Sequence, residues 1–398
     1  MLAANVVRNG NSYEKTTIMT KSYLYDKNRK KATLMSTVQN KTEFLNLEIP
    51  TTMKAAVMNK PLDIEIQELP VPDVGDDEVL VKVMAVGICG SDIHYYEHGK
   101  IGRYVVEKPI ILGHECAGIV VKNGKNATKF KVGDRVAIEP GITCGKCKHC
   151  KEGRYNLCPK VEFLATPPID GAFVQYIKHR EDFLFPIPDS LSFEEAAMNE
   201  PFSVGIHAAT RAKLQPGSTV AIMGMGPVGL TAIATVKAFG ASTIIVTDLE
   251  ENRLEAARKL GATHTINVLE HDVYEQINTI TNGEGVDVAF ETAGNPRALQ
   301  SALVSIRRGG KLAIVGLPPQ DEIGLNVPLI ADNELDIYGI FRYANTYPKG
   351  IEFLASGSTN IHEIITDRFP LEKTSEAMEK ARTNKQESIK IVVYPNEM

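Results

Sequence analysis

"STVAIMGMGPVGLTAIATVKAFGASTIIVTDLEENRLEAARKLGATHTIN", residues 218–267, decides the fold. Short apolar runs alternate here with longer amphipathic ones, giving strand, helix, strand, helix, strand. Between the first strand and helix lies "GMGPVG", with Gly224, Gly226 and Gly229 in G-x-G-x-x-G spacing around Pro227 and Val228. The spacing alone is a weak signal. It gains force because it follows a strand and opens a helix. The glycines let the backbone turn tightly and approach a pyrophosphate, and the helix start offers free N–H groups to the anion. Asp248 closes the second strand, where an acid binds the adenosine ribose hydroxyls. A carboxylate there repels a 2′-phosphate, so NAD is expected over NADP.

Working outward, further strands are expected at "GVDVAFET", "KLAIVGL" and "LDIYGI", with a helix at "NPRALQSALVSI". The sum is six parallel strands in a doubly wound sheet, residues 201–340. Upstream, "KAAVMN", "LDIEIQEL" and "EVLVKVMAVGIC" are β-rich runs broken by Pro, Gly and Asp, predicting an irregular β domain over 53–200. Residues 341–398 hold helical runs and end in the strand "SIKIVVYP", a segment expected to return to the first domain. Residues 1–52 differ, with eight Lys/Arg against four Asp/Glu and little periodicity. They read as a flexible extension, or as sequence ahead of a start at Met53.

Of 398 residues, 43% are hydrophobic and 23% charged, which is enough apolar content for a sizeable core. A net charge of -5 gives no bulk attraction to nucleic acid, and no apolar run reaches a membrane span. Six cysteines in so long a chain do not make a disulfide scaffold, so a reducing cytoplasm is expected.

Four of those cysteines, Cys144, Cys147, Cys150 and Cys158, follow C-x2-C-x2-C-x7-C. Such short spacings wrap backbone around a tetrahedral thiolate site, closed to substrate. Lys146, Lys148 and Lys151 offset the surplus negative charge of four thiolates on Zn²⁺. An iron–sulfur cluster and disulfides are the competing readings; the bacterial ferredoxin spacing is absent. A second, scattered set is Cys89 in "GICGSDIHYYEHG" with His114 and Glu115 in "GHECAG". Thiolate, imidazole and carboxylate suit a catalytic zinc with an open position. A buried cysteine and a satisfied histidine are the plain alternative.

"GHECAGIVVKNG" with "GDRV" resembles the zinc signature of the medium-chain zinc alcohol dehydrogenases. "CGSDIHYYEHG", "FLATPPIDGAF", "NEPFSVGIHA" and "GIFRYANTYP" are similar to its polyol branch. The resemblance runs from Met53 to the C-terminus. It implies a GroES-like catalytic domain beside a Rossmann domain, one catalytic and one structural zinc per subunit, NAD, a polyol substrate and a homotetramer. Residue by residue, it implies that Cys89 and His114 hold the catalytic zinc. Glu115 would do so as well, either directly or alternating with a water held by Glu200; both remain open. Ser91 and His94 fall at proton-relay positions, and Tyr95, Glu200, Arg342 and Tyr343 at substrate positions. Arg253 falls on the ribose side, and Val315 and Leu317 at the nicotinamide. The implied reaction takes a secondary alcohol to a ketone. Threonine or butanediol dehydrogenases of the same fold are the near alternative. A non-catalytic zinc- and nucleotide-binding protein is the remote one, set against a chain that keeps every ligand position and the glycine loop.

Overall fold

The computed structural model describes residues 48–397 other than 319 and 321; most of the expected 1–52 extension lies outside the described residues. The six parallel strands form one sheet in the order His264–Asn267, Thr243–Asp248, Thr219–Met223, Val286–Glu291, Ile306–Ile314, Asp336–Gly339. Successive side chains leave opposite faces of a strand, and the two faces here bury separate cores. Val220, Ile222, Val246, Val288 and Phe290 meet Leu230, Ile233 and Leu254 from helices Pro227–Ala238 and Glu251–Leu260. Ala221, Met223, Ile245 and Ala289 meet Ile277, Leu299 and Leu303 from helices Val273–Ile280 and Pro296–Val304. Helices on both faces explain the unbroken apolar strands, since neither side is left for water. The strand order reverses between Thr219–Met223 and Val286–Glu291, so the glycine loop sits at the crevice where such sheets bind ligands.

Among the described residues, seven further strands build a second, mainly antiparallel sheet, with smaller two- and three-stranded sheets beside it in sequence. Glu78–Gly87 is central, pairing antiparallel with Glu115–Asn123, Tyr176–Arg180 and Lys390–Tyr394. Arg135–Ile138 and Leu184–Pro186 extend one edge, and Ile365–Pro370 the other. The last strand of the chain thus joins the sheet begun by the first third. The helix Asn199–Arg211 runs across the expected boundary at 200. Its Phe202 and Ile206 pack in the same core as Val220 and Leu230, which joins the two halves. Among the described residues, no helix is long and apolar enough to cross a membrane.

Candidate metal and nucleotide sites

The glycine loop follows from sterics. Gly224 has φ +95, the left-handed region that favours glycine. A Cβ on Gly229 would lie 1.9 Å from the Gly224 carbonyl oxygen, while one on Gly226 would meet nothing within 4 Å. The first and third glycines therefore serve the turn and helix packing. The second leaves open space at the helix start, where Pro227 begins the first turn. Asp248, expected at the ribose, also ties the loop: its Oδ2 accepts from Met225 N–H at 2.6 Å and its Oδ1 from Leu249 and Glu250 N–H. Arg253 Nε is buried without a hydrogen-bond partner, and Leu317 is 76% exposed beyond the strand that ends at Ile314.

Cys89 caps the helix Gly90–His98, and Cys89 N–H donates to Asp92 Oδ2 at 2.9 Å. His114 immediately precedes, and Glu115 begins, the strand that pairs with Glu78–Gly87, so residue 115 stands opposite Gly87, two residues before Cys89. Ligand atoms of Cys89, His114 and Glu115 all lie within 4.8 Å of one another. Glu200 is not part of that group; its Oε1 accepts from Tyr343 Oη–H at 2.9 Å. Burial, and then Glu115, push the Glu200 carboxyl up to about 7.

Two residues of this site went unnoticed in the sequence. Asp92, fully buried, accepts from Gly113 N–H at 3.0 Å and lies 3.5 Å from His114 Nδ1. Burial alone would raise its carboxyl, but His114 and the backbone donors hold it below the ordinary value. Burial disfavours a cationic His114, yet Asp92 and Cys89 outweigh it and raise His114 well above its usual value. The surrounding donors thus call for positive charge where the three ligand atoms converge, which fits a dication. An Asp three residues after an N-cap was the available signal for this residue. Lys390 is the other: wholly buried, its ammonium pairs with Glu115 and donates to Ile88 O at 2.9 Å. A single lysine inside the apolar run "KIVVY" was its signal.

Ser91 and His94, one turn apart on the helix from Cys89, are both half-buried. His94 Nδ1–H donates to Lys100 O at 3.0 Å, leaving Nε2 as its free nitrogen. Tyr95 is buried, which pushes its phenol up to about 12. The Arg342 guanidinium lies 3.8 Å from the centre of the Phe163 ring, and its Nη1 is buried without a hydrogen-bond partner.

The ligand atoms of Cys144, Cys147, Cys150 and Cys158 also lie within 4.8 Å of one another, and all six cysteines of the chain are free thiols. Backbone N–H groups of Lys146 and Cys147 draw the Cys144 thiol down to about 6, toward the thiolate a metal needs. Four free thiols so placed fit a closed tetrahedral zinc site. Cys116 is buried at 1% exposure, and burial pushes its thiol up to about 12, so it behaves as packing.

A Rossmann sheet beside two zinc-type donor sets defines a nucleotide-dependent metallodehydrogenase. Residues 75–189 match the alcohol dehydrogenase GroES-like domain, and residues 227–356 the zinc-binding dehydrogenase domain. The chain is 71% identical to the sorbitol dehydrogenase of Bacillus subtilis, over 87% of this chain and 99% of that protein. Among solved structures, an Escherichia coli dehydrogenase of unknown specificity matches with TM-score 0.83 at 40% identity, covering 86% of this chain and 99% of that one. The 2R,3R-butanediol dehydrogenase of Bacillus subtilis matches with TM-score 0.80 at 34% identity, covering 86% and 100%. The chain belongs to the zinc-dependent alcohol dehydrogenase family.

Proposed function

We propose that this protein oxidises a secondary alcohol of a polyol, such as sorbitol or xylitol, to the ketose, with hydride transfer to NAD. The observation that carries this is the convergence of Cys89, His114 and Glu115 beside the buried Glu200–Tyr343 pair, in a chain 71% identical to a sorbitol dehydrogenase. The 34% identity to a butanediol dehydrogenase makes that substrate the weaker reading.

Cys89, His114 and Glu115 would hold the catalytic zinc, and the four clustered cysteines the structural one. When bound, the zinc supplies Lewis acidity at the alcohol oxygen and NAD accepts the hydride. Ser91 takes the hydroxyl proton and His94 passes it on from its free nitrogen. Glu200, Tyr95, Arg342 and Tyr343 hold the hydroxyls that do not react. Gly224, Gly226, Pro227, Val228 and Gly229 bind the pyrophosphate, Asp248 and Arg253 the ribose, and Val315 and Leu317 the nicotinamide. The division into 53–200, 201–340 and 341–398 is supported by the two separate main sheets. The family resemblance supports reading the protein as a homotetramer, and the free cysteines support reading it as cytoplasmic.

The test is NADH formation from sorbitol, xylitol, threonine, butanediol and ethanol, with and without a zinc chelator. Chelator-sensitive turnover concentrated on sorbitol or xylitol is expected. Preference for threonine or butanediol would overturn the substrate assignment.

A further inference from the structure

The lobe that carries the four cysteines does more in this fold than close on a metal. Between the third and fourth cysteines, residues 153–156 reach across to the 341–345 loop. Asn156 Nδ2–H donates to Phe341 O at 2.8 Å, Asn345 N–H donates to the Tyr155 hydroxyl at 2.8 Å, and Asn345 Nδ2–H donates to Gly153 O at 2.7 Å. The Tyr155 hydroxyl in turn donates to the buried Glu139 at 2.7 Å, so it cannot swing away freely. At the base of the lobe Phe163, paired with Gly141, presents its ring to the Arg342 guanidinium at 3.8 Å.

The gripped loop needs such support. Arg342 and Asn345 both take left-handed backbone, with φ +50 and +59. Arginine gains nothing there, and such residues persist when their surroundings over-determine them. The cysteines set the grip directly: Gly153 N–H donates to Cys150 O at 3.1 Å and Cys158 N–H to Tyr155 O at 2.9 Å.

We propose that Tyr155 and Asn156 are positioning residues for polyol recognition: the cysteine lobe clamps the 341–345 loop and so presents Arg342 to the substrate. The proposal rests on Arg342 being a substrate contact, as read above. A chain with a loose loop holds Arg342 in place only part of the time, and apparent affinity falls by that fraction.

The test is steady-state kinetics of the zinc-loaded enzyme for Asn156→Ala, Tyr155→Phe, Arg342→Ala and the Asn156→Ala/Arg342→Ala double variant. Losing one hydrogen bond of the clamp should raise the sorbitol KM about three- to tenfold. The kcat and the NAD KM should stay near wild type. In the Arg342→Ala background the Asn156→Ala effect should vanish, because the clamp then has nothing to present. An equal KM increase in both backgrounds, or a matching loss in NAD KM, would overturn the proposal and leave a merely structural lobe. An unchanged sorbitol KM in Arg342→Ala would instead sink the substrate assignment itself, and the clamp with it. Should Asn156→Ala fail to fold, Asn156→Asp keeps the size, removes the donor and carries the same expectations.

Discussion

Lys390→Met isolates the electrostatics of the catalytic donor set. The side chains of Lys390 and Glu115 are 0% and 1% exposed, so neither charge has water to fall back on. Removing one partner of such a pair leaves a buried, uncompensated charge and costs about 3–5 kcal/mol. The Ile88 carbonyl also loses its donor, a further cost of roughly 1–3 kcal/mol that methionine does not restore. For a chain of this size, about 2 °C of melting temperature goes with each kcal/mol. The charge penalty alone therefore predicts a fall of roughly 6–10 °C in metal-free protein. With zinc bound, Glu115 faces a second cation, and the fall should be clearly smaller. Differential scanning calorimetry of wild type and variant, each metal-free and zinc-loaded, reads both numbers. The double variant Lys390→Met/Glu115→Gln removes both charges and should recover the part due to Glu115 while keeping the part due to Ile88. Equal losses in the two metal states, or no recovery in the double variant, would refute the reasoning.

Cys89→Ser should abolish turnover and lose one zinc per subunit while keeping the fold. Cys147→Ser should lower the melting temperature, because a structural site contributes folding free energy; a variant that melts like wild type but is inactive would mean the two sites are interchanged. Gly229→Ala forces a methyl group to within 1.9 Å of the Gly224 carbonyl oxygen. The loop must open, and the NAD Kd should rise about five- to a hundredfold, as 1–3 kcal/mol of overpacking implies; isothermal titration with NAD checks it. His179 is buried with its Nε2–H on the Glu139 carbonyl, and burial depresses its pKa to about 4. Between about 6.5 and 4 the unfolded chain binds a proton that the folded one refuses, so stability falls as pH falls through that window, by about 3 kcal/mol in total. Denaturant titrations at pH 7 and 4.5 should show a slope that His179→Gln flattens.

What could be read from the chain alone follows a physical division. The six-stranded sheet was legible because both its faces are covered, which gives strands such as Thr219–Met223 and Thr243–Asp248 continuous apolar centres, Val220 to Met223 and Ile244 to Val246, between sharp boundaries. The cysteine lobe was legible because its ligands lie within fifteen residues and need no tertiary partner to meet. The catalytic set was not readable from spacing alone. Cys89 caps a helix and His114 sits just ahead of a strand 25 residues later, and resemblance, not periodicity, joined them. Lys390 lies 275 residues from Glu115, and only the antiparallel pairing of Lys390–Tyr394 with Glu78–Gly87 brings it inside.

The choice between Glu115 and Glu200, which the sequence leaves open, is a question of what each carboxylate already holds. Glu115 is bound by a full positive charge, and its ligand atom falls within the group formed with Cys89 and His114. Glu200 is bound by a neutral phenol, and burial pushes its carboxyl up to about 7, so that at neutral pH it carries a proton about half the time. Two carboxylates this close, in a site that excludes water, resist being ionised together. The fold resolves the conflict by giving Lys390 to one and Tyr343 to the other. Glu115 is then the carboxylate set against a cation, and Glu200, with the Tyr343 hydroxyl, is suited to exchange hydrogen bonds with a neutral hydroxyl. A polyol offers that partner at each carbon beside the one oxidised. On the proposed reading, Glu115 would supply the charge that holds a metal and Glu200 the polarity that reads the substrate, and the partners of both, Lys390 and Tyr343, are delivered by the last sixty residues of the chain.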